Sequence, residues 1–172
     1  VMGILNGTTN YMLTRMSQEG ISYADVLADA QRLGYAEADP TADVEGHDAA
    51  AKIALLSSMV FNSRVNVKDV YTNGISTISP VDFERARAMG YVIKLLAIGR
   101  RAASGIDVRV HPAMLPASHP MASVNGVYNA VYVEGEPIGD VMFFGQGAGE
   151  GATASAVMGN IIDAARCIDE GS

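Results

Sequence analysis

The sequence has 172 residues, 49% of them hydrophobic and 18% charged, which predicts a globular chain with a sizeable core rather than a disordered one. The formal net charge of −7 repels polyanions, so we expect neither nucleic acid nor a membrane surface as a partner. No stretch approaches ~18 consecutive apolar residues, which argues against a membrane span. The single cysteine, Cys167, cannot form an internal disulfide and favours a reducing compartment, the cytoplasm.

The first part of the chain predicts one strand followed by three helices. Threonines after Gly7 offer hydroxyl caps for the first helix, while Gly20 and Gly34 suit the positions after the first and second helices. The third helix is apolar on most faces, so we expect it to be largely buried. The predicted ranges are 1–6 for the strand and, for the helices, up to about 19, 22 to 33, and about 43 to 60.

The second part predicts strands separated by Gly, Ser and Pro turns, with a short helix from Pro80 and a last helix after a glycine-rich turn. The predicted strands are 67–75, 91–100, 106–115, 129–136 and 140–145. With no internal repeat or long linker, residues 1–172 are assigned to a single domain. The predicted fold class is α+β or mixed α/β: a mostly antiparallel or mixed β-sheet, covered by helices on one face, with helices first and one closing C-terminal helix.

An acidic segment, GYAEADPTADVEGHDAAAK at residues 34–52, leads into the apolar third helix. Asp48 and Lys52 are four residues apart and therefore share one helix face. Two interpretations compete: an exposed ion pair worth ~0.3 to 0.5 kcal/mol, or a lysine held beside a carboxylate in a cleft, where it acts as an acid or base. Lys52 is the only basic residue between Arg32 and Arg64, which favours the cleft.

No metal site is predicted, although the carboxylates suggest a calcium loop. With Gly46 as the sixth residue of an EF-hand loop, Lys52 takes the twelfth position, which requires glutamate. The three histidines have no ligand spacing. GQGAGEG, residues 145–151, allows a backbone to approach a cofactor closely but is not a dinucleotide fingerprint.

Three segments taken together resemble the substrate-binding and dimerisation region of homoserine dehydrogenases: GILNGTTNYML at residues 3–13, GYAEADPTADVEGHDAAAK at 34–52 and GQGAGEGATASAV at 145–157. Members of that family are NAD- or NADP-dependent oxidoreductases that interconvert L-aspartate 4-semialdehyde and L-homoserine. This reaction belongs to the biosynthesis of the amino acids threonine, methionine and isoleucine. The resemblance implies a Rossmann domain before Val1 that holds most of the NADP or NAD site. We therefore expect a fragment that is inactive alone and forms a homodimer through its sheet.

The resemblance also implies roles for individual residues. Lys52 falls on the family's catalytic lysine, which passes a proton to or from the C4 oxygen, and Asp48 falls on its partner, which either binds substrate or sets the protonation of the lysine. Glu37 falls on the carboxylate that holds the substrate ammonium group. The remaining substrate-binding positions are Asp43, Tyr35, Gly7 and Thr8, and the cofactor-binding positions are Gly34, Gly147, Ala148, Gly149 and Glu150.

Two other functions remain open from the sequence: a non-catalytic acidic module for dimerisation or amino-acid sensing, and a related semialdehyde or amino-acid dehydrogenase. The side chains of Glu37, Asp48 and Lys52 separate the enzyme from the module. Convergence on a cleft favours the enzyme, and three side chains spread into solvent favour the module.

Overall fold

The computed structural model describes residues 1–103 and 105–169. Six strands form one sheet in the order β2-β4-β3-β1-β5-β6, in which β2 runs parallel to β4 and all other neighbours are antiparallel. The strands are β1 Met2–Ile4, β2 Tyr71–Thr72, β3 Tyr91–Ala102, β4 Gly105–Pro116, β5 Tyr128–Gly135 and β6 Gly139–Gln146. The helices are α1 Gly7–Glu19, α2 Tyr23–Arg32, α3 Thr41–Val44, α4 His47–Val60, α5 Pro80–Ala88 and α6 Glu150–Asp169. The predicted mixed, mostly antiparallel sheet is confirmed.

The central strand β3 separates two hydrophobic clusters. Ile93 and Leu95 belong to the larger cluster, on the face where α1, α4 and α5 contact β3. Leu96 belongs to the smaller cluster on the other face, together with Met121 of a 3-10 helix at Pro120–Ser123. Alternate residues of a strand point to opposite faces, so both faces of β3 are buried. The predicted layer of helices on one face is present, and a loop segment covers part of the other.

The first two helices end where the sequence predicts. Gly20 follows α1 with φ 69°, a left-handed conformation that glycine adopts without steric cost. Ser22 accepts a hydrogen bond from the amide of Asp25 at the start of α2, and Gly34, with φ 78°, follows the end of that helix. Among the helices of the described ranges, none combines the length and the apolar character that crossing a membrane requires.

The predicted third helix was wrong in its continuity and in its burial. Gly46 has φ 83°, so the backbone turns there and divides the predicted range into α3 and α4. One face of α4, with Ile53 and Ser57, is buried and the helix contacts β3 and β4, whereas Leu55 and Met59 on the other side are 68% and 79% exposed. A single sheet can cover only one face of a helix lying on it.

Two further elements differ from expectation. The predicted strand 67–75 is a 3-10 helix at Val67–Asp69 followed by the two-residue strand β2, which pairs with β4 through Tyr71 and Thr72. The last helix, α6, has the predicted place in the chain, but none of its described residues is buried. The sheet and its helices therefore form the core without α6.

Close contact between α4 and β3 depends on Gly99. A Cβ atom added at Gly99 would lie 2.2 Å from Oγ of Ser57 and 3.4 Å from its Cβ. We expect Gly99→Ala to lower the free energy of unfolding by about 1–3 kcal/mol, because overpacking forces α4 away from the sheet. Ser57→Ala alone should be neutral or stabilising, since the buried hydroxyl of Ser57 makes no hydrogen bond within the described residues.

The double variant Ser57→Ala/Gly99→Ala should recover most of the lost stability, because removing Oγ leaves only an ordinary van der Waals contact. Urea unfolding of the four proteins measures this coupling. A double variant at least as unstable as Gly99→Ala would contradict the account.

Candidate functional site

A cavity of about 610 Å³ lies where the end of β1, the start of α1, the acidic segment and the β6–α6 connection meet. Its walls come from parts of the chain that are distant in sequence. The lining residues are Asn6, Gly7, Thr8, Gly34, Tyr35, Asp43, Asp48, Lys52, Val127, Asn129, Gln146, Gly147, Ala148 and Gly149.

Lys52 lies on the first half of α4 with its ammonium group held in place from two sides. Nζ donates to Oδ2 of Asp48 at 2.7 Å and to the carbonyl oxygen of Leu5 at 3.0 Å. The side chains of Lys52 and Asp48 are 48% and 32% exposed, so the pair is in contact with solvent at the cavity. An ammonium group has three N–H donors, and two of them have an acceptor among the residues that the structure describes. The third remains available for a ligand oxygen.

Asn6, two residues after β1, links side chains of α3 and α4 to the start of α1. Its Nδ2 donates to Oδ1 of Asp43 at 2.6 Å and to Oδ2 of Asp48 at 3.0 Å. Its Oδ1 accepts from the amide of Thr9 at 2.8 Å and thereby caps α1. A threonine cap was predicted from the sequence, and this prediction was wrong. Because the Asn6 residue is only 6% exposed, this bridge holds the two carboxylates side by side.

The N-terminus of α1 forms another part of the wall. The amides of Gly7 and Thr8 donate to no acceptor within the described residues, and both residues line the cavity. Free amides at a helix N-terminus favour an anionic group. The hydroxyl of Thr8 donates to the carbonyl oxygen of Tyr35 at 2.7 Å, which ties the acidic segment to α1.

A further part of the wall combines Val127, just before β5, and Asn129, within β5, with the glycine-rich connection after β6. A Cβ atom added at Gly147 would lie 2.4 Å from Nδ2 of Asn129. Only glycine, which has no Cβ, allows the backbone of residue 147 to lie so close to that amide. Oδ1 of Asn129 is buried and accepts no hydrogen bond within the described residues. The bare backbone of Gly147 therefore packs directly against the side chain of Asn129 at the edge of the cavity.

The structure brings most of the predicted site residues to one cavity. Lys52, Asp48 and Asp43 line it beside the pocket positions of the first segment and of the glycine-rich turn. Glu37 and Glu150 are exposed and do not line it, so their roles stay predictions. Lys52 and Asp48 converge as the enzyme interpretation requires, whereas Glu37 does not join them.

Four lining residues were not predicted from the sequence: Asn6, Val127, Asn129 and Gln146. Asn6 carried a usable signal, because asparagine is among the strongest helix-capping residues and stands directly before GTT. Gln146 stood inside the quoted glycine-rich segment. Val127 and Asn129 gave no sign in sequence, since only the pairing of β5 brings them to the start of α1.

Comparison with known proteins decides the family. The family model for homoserine dehydrogenase matches residues 1–162. The chain belongs to the homoserine dehydrogenase family. Homoserine dehydrogenases are oxidoreductases, so the matched family is a family of enzymes.

Individual homoserine dehydrogenases agree with this placement. The enzyme of Corynebacterium glutamicum is 57% identical over 171 residues, which cover 96% of this chain and 38% of that protein. A crystal structure of the Thiobacillus denitrificans homoserine dehydrogenase matches with a TM-score of 0.96 at 46% identity, over 98% of this chain and 39% of that one. A hyperthermophilic archaeal homoserine dehydrogenase mutant in complex with NADPH matches with a TM-score of 0.76 at 28% identity, over 95% of this chain and 46% of that one. The chain thus spans less than half the length of these relatives.

Proposed function

We propose that this chain is the substrate-binding and catalytic part of a longer homoserine dehydrogenase, which interconverts L-homoserine and L-aspartate 4-semialdehyde with NADH or NADPH. The observation that carries the proposal is the Lys52–Asp48 pair, held by Leu5 and Asn6 at the mouth of a cavity with free helix amides. Membership of the family supports the reaction.

The proposed substrate is a zwitterionic amino acid, and the cavity offers a complement to each of its two charged groups. The free amides of Gly7 and Thr8 suit the α-carboxylate, because a helix N-terminus attracts negative charge. The carboxylates of Asp43 and Asp48 suit the α-ammonium group. We assign Glu37 to the same ammonium group on the family resemblance alone.

In this proposal Lys52 handles the proton of the C4 oxygen. During reduction of the aldehyde, negative charge develops on that oxygen, and the remaining N–H of Lys52 donates to it and then transfers the proton. In the reverse direction the lysine takes the hydroxyl proton of homoserine. Asp48 and the carbonyl oxygen of Leu5 keep Nζ in place during both steps.

The cofactor we propose is NADP or NAD, which when bound would supply a hydride to the aldehyde in its reduced form and accept one from homoserine in its oxidised form. The residues of this chain fit a closing role: Gly147 leaves no room for a side chain beside Asn129, and Gly34, Ala148, Gly149 and Tyr35 border the same cavity. We propose that Gly34 and the segment from Gly147 to Glu150 cover the reactive end of the cofactor, while the rest of its site belongs to another domain of the longer protein.

The proposed function is tested with the full-length protein that carries this chain. We expect NAD(P)-dependent oxidation of L-homoserine, and reduction of L-aspartate 4-semialdehyde in preference to other amino-acid semialdehydes. Absorbance of the reduced nicotinamide measures both directions. Absence of turnover with homoserine, or a clear preference for another semialdehyde, would overturn the proposal. We expect the isolated chain to have no such activity.

We further propose a cytoplasmic enzyme of the pathway to threonine, methionine and isoleucine. Its one cysteine, Cys167, cannot close an internal disulfide, which suits a reducing compartment. Growth of a threonine- and methionine-requiring bacterial mutant that lacks homoserine dehydrogenase tests the pathway: the full-length gene should restore growth without either amino acid, and failure to do so would contradict it.

We propose a homodimer that forms through the sheet. The strand β6 lies at the edge of the sheet and exposes Phe143 and Phe144, at 66% and 57%. An exposed apolar edge strand readily pairs with another chain. We expect Phe143→Lys to convert the dimer into a monomer in sedimentation velocity experiments.

Val67→Lys is the matched control, because Val67 is exposed at 49% but lies far along the chain from β6, in a 3-10 helix. That variant should remain dimeric. A monomeric wild-type protein, or equal dissociation in both variants, would contradict the proposed interface.

A further inference from the structure

Lys94 is a buried lysine in the middle of β3, and the proposed chemistry does not use it. The residue is 3% exposed and stands between the apolar residues Ile93 and Leu95. Burying a lysine is costly unless its donors are satisfied. A lysine at this place in the core therefore requires a structural explanation of its own.

All three donors of the Lys94 ammonium group have an acceptor. Nζ donates to the carbonyl oxygen of Val124 at 2.5 Å, to Oδ1 of Asn125 at 3.0 Å and to Oδ1 of Asn10 at 3.3 Å. These acceptors are neutral, and burial lowers the pKa of Lys94 to about 8. Three acceptors around one nitrogen match an ammonium group, which has three donors and no lone pair.

Asn10 of α1 also binds the backbone of residues 124–128. Its Nδ2 donates to the carbonyl oxygens of Val124, Gly126 and Tyr128, at 3.2, 3.0 and 3.0 Å. The hydroxyl of Thr14, one helical turn further, accepts from the amide of Gly126 at 3.1 Å. We call Lys94, Asn10 and Asn125 the Lys94 cluster. The cluster fastens residues 124–128 to both β3 and α1.

Residues 124–128 lie next to the cavity in the chain and in space. Val127 and Asn129 line the wall that faces the start of α1. The approach is close, because a Cβ atom added at Gly7 would lie 2.8 Å from the carbonyl oxygen of Val127. A small displacement of residues 124–128 therefore changes the space beside Gly7, where we place the substrate carboxylate.

We propose that Lys94 is a positioning residue: through the Lys94 cluster it fixes residues 124–128, and with them the Val127 and Asn129 wall against which the amino-acid substrate binds. This inference rests on the proposed function. A buried ammonium group with every donor satisfied specifies the positions of its acceptors more strictly than an apolar contact of the same volume. Lys94 acts through the wall and is too deeply buried to touch the substrate.

The test compares Lys94→Met with wild type in the full-length protein. Methionine has a similar length but no donor. We expect the KM for L-homoserine to rise at least ~10-fold with kcat changed less than ~3-fold, because the loss is in ground-state binding. We also expect faster hydrogen–deuterium exchange in residues 124–128.

Val26→Ala is the matched control for a loss of stability, since Val26 is fully buried in α2 and does not line the cavity. It should lower the melting temperature and leave the KM for homoserine unchanged. A KM for Lys94→Met within ~2-fold of wild type, or an equal rise in the control, would overturn the proposal.

If Lys94→Met does not fold, Asn125→Leu takes its place, because Asn125 is exposed and its loss removes a single acceptor. Faster exchange in residues 124–128 with a raised KM supports the proposal, and no change in either overturns it. Wild-type protein without homoserine turnover would contradict the proposed function instead, and the exchange comparison would still test whether the Lys94 cluster holds the segment.

Discussion

Lys52→Met is expected to lower kcat for homoserine oxidation by at least ~10²-fold in the full-length enzyme, the scale of lost acid–base catalysis. The substituted side chain cannot take or give a proton, although it fills nearly the same volume. Because α4 begins at His47 and Lys52 is half exposed, the fold should tolerate the change. Steady-state kinetics in both directions measure the effect, and circular dichroism checks the fold.

Lys68→Met is the matched control for Lys52→Met. Lys68 is an exposed lysine in a 3-10 helix and does not line the cavity. Its replacement removes the same charge from the protein and should leave kcat within ~2-fold of wild type. Near-normal turnover by Lys52→Met, or an equal loss in the control, would exclude Lys52 as the proton carrier.

Asn6→Asp is expected to lower kcat/KM by ~10²-fold or more while the cap of α1 is kept. Aspartate caps a helix as well as asparagine does, so Oδ1 can still accept from the amide of Thr9. The new carboxylate has no N–H to donate, however. One of its oxygens would stand where Nδ2 of Asn6 now donates to Asp43 at 2.6 Å and to Asp48 at 3.0 Å. Like charges repel, so the three carboxylates should move apart. Because Lys52 is bound to Asp48, it should be displaced with that carboxylate.

Kinetics and thermal unfolding separate the two functions of Asn6. Asn6→Ala should lose the same bridge and, in addition, about 1 kcal/mol of stability from the missing cap. Asn66→Asp, which places the same carboxylate on an exposed asparagine outside the cavity, is the control and should be active. Normal kcat/KM in Asn6→Asp would contradict a bridging role.

The sequence predicted most strands and most helices because their signals are local. Alternating or continuous apolar runs marked β3 to β6, Ser22 and Gly34 marked the two ends of α2, Gly20 marked the end of α1, and Pro80 marked the start of α5. The division of the third helix at Gly46 was local too, but glycine inside a helical pattern is often tolerated, and only the φ of 83° identifies it as a break. The exposure of Leu55 and Met59 depends on which face meets the sheet, and an apolar residue alone does not give that.

The candidate site was predictable where charge and spacing were unusual. Asp48 and Lys52 share a helix face by their spacing, and the structure places them 2.7 Å apart at the cavity. Residues that act through tertiary contacts were harder to find. Lys94 interrupts the apolar run YVIKLLAIG, and this was a signal, but its partners Asn10 and Asn125 lie 84 and 31 residues away in the chain.

The most direct test of the account is a crystal structure of the full-length protein with L-homoserine bound. We predict the hydroxyl oxygen of the ligand within hydrogen-bonding distance of Nζ of Lys52, and the carboxylate at the amides of Gly7 and Thr8. Homoserine bound in this orientation would support the assignment of the cavity as the catalytic site. Homoserine bound elsewhere, or with its hydroxyl directed away from Lys52, would contradict it.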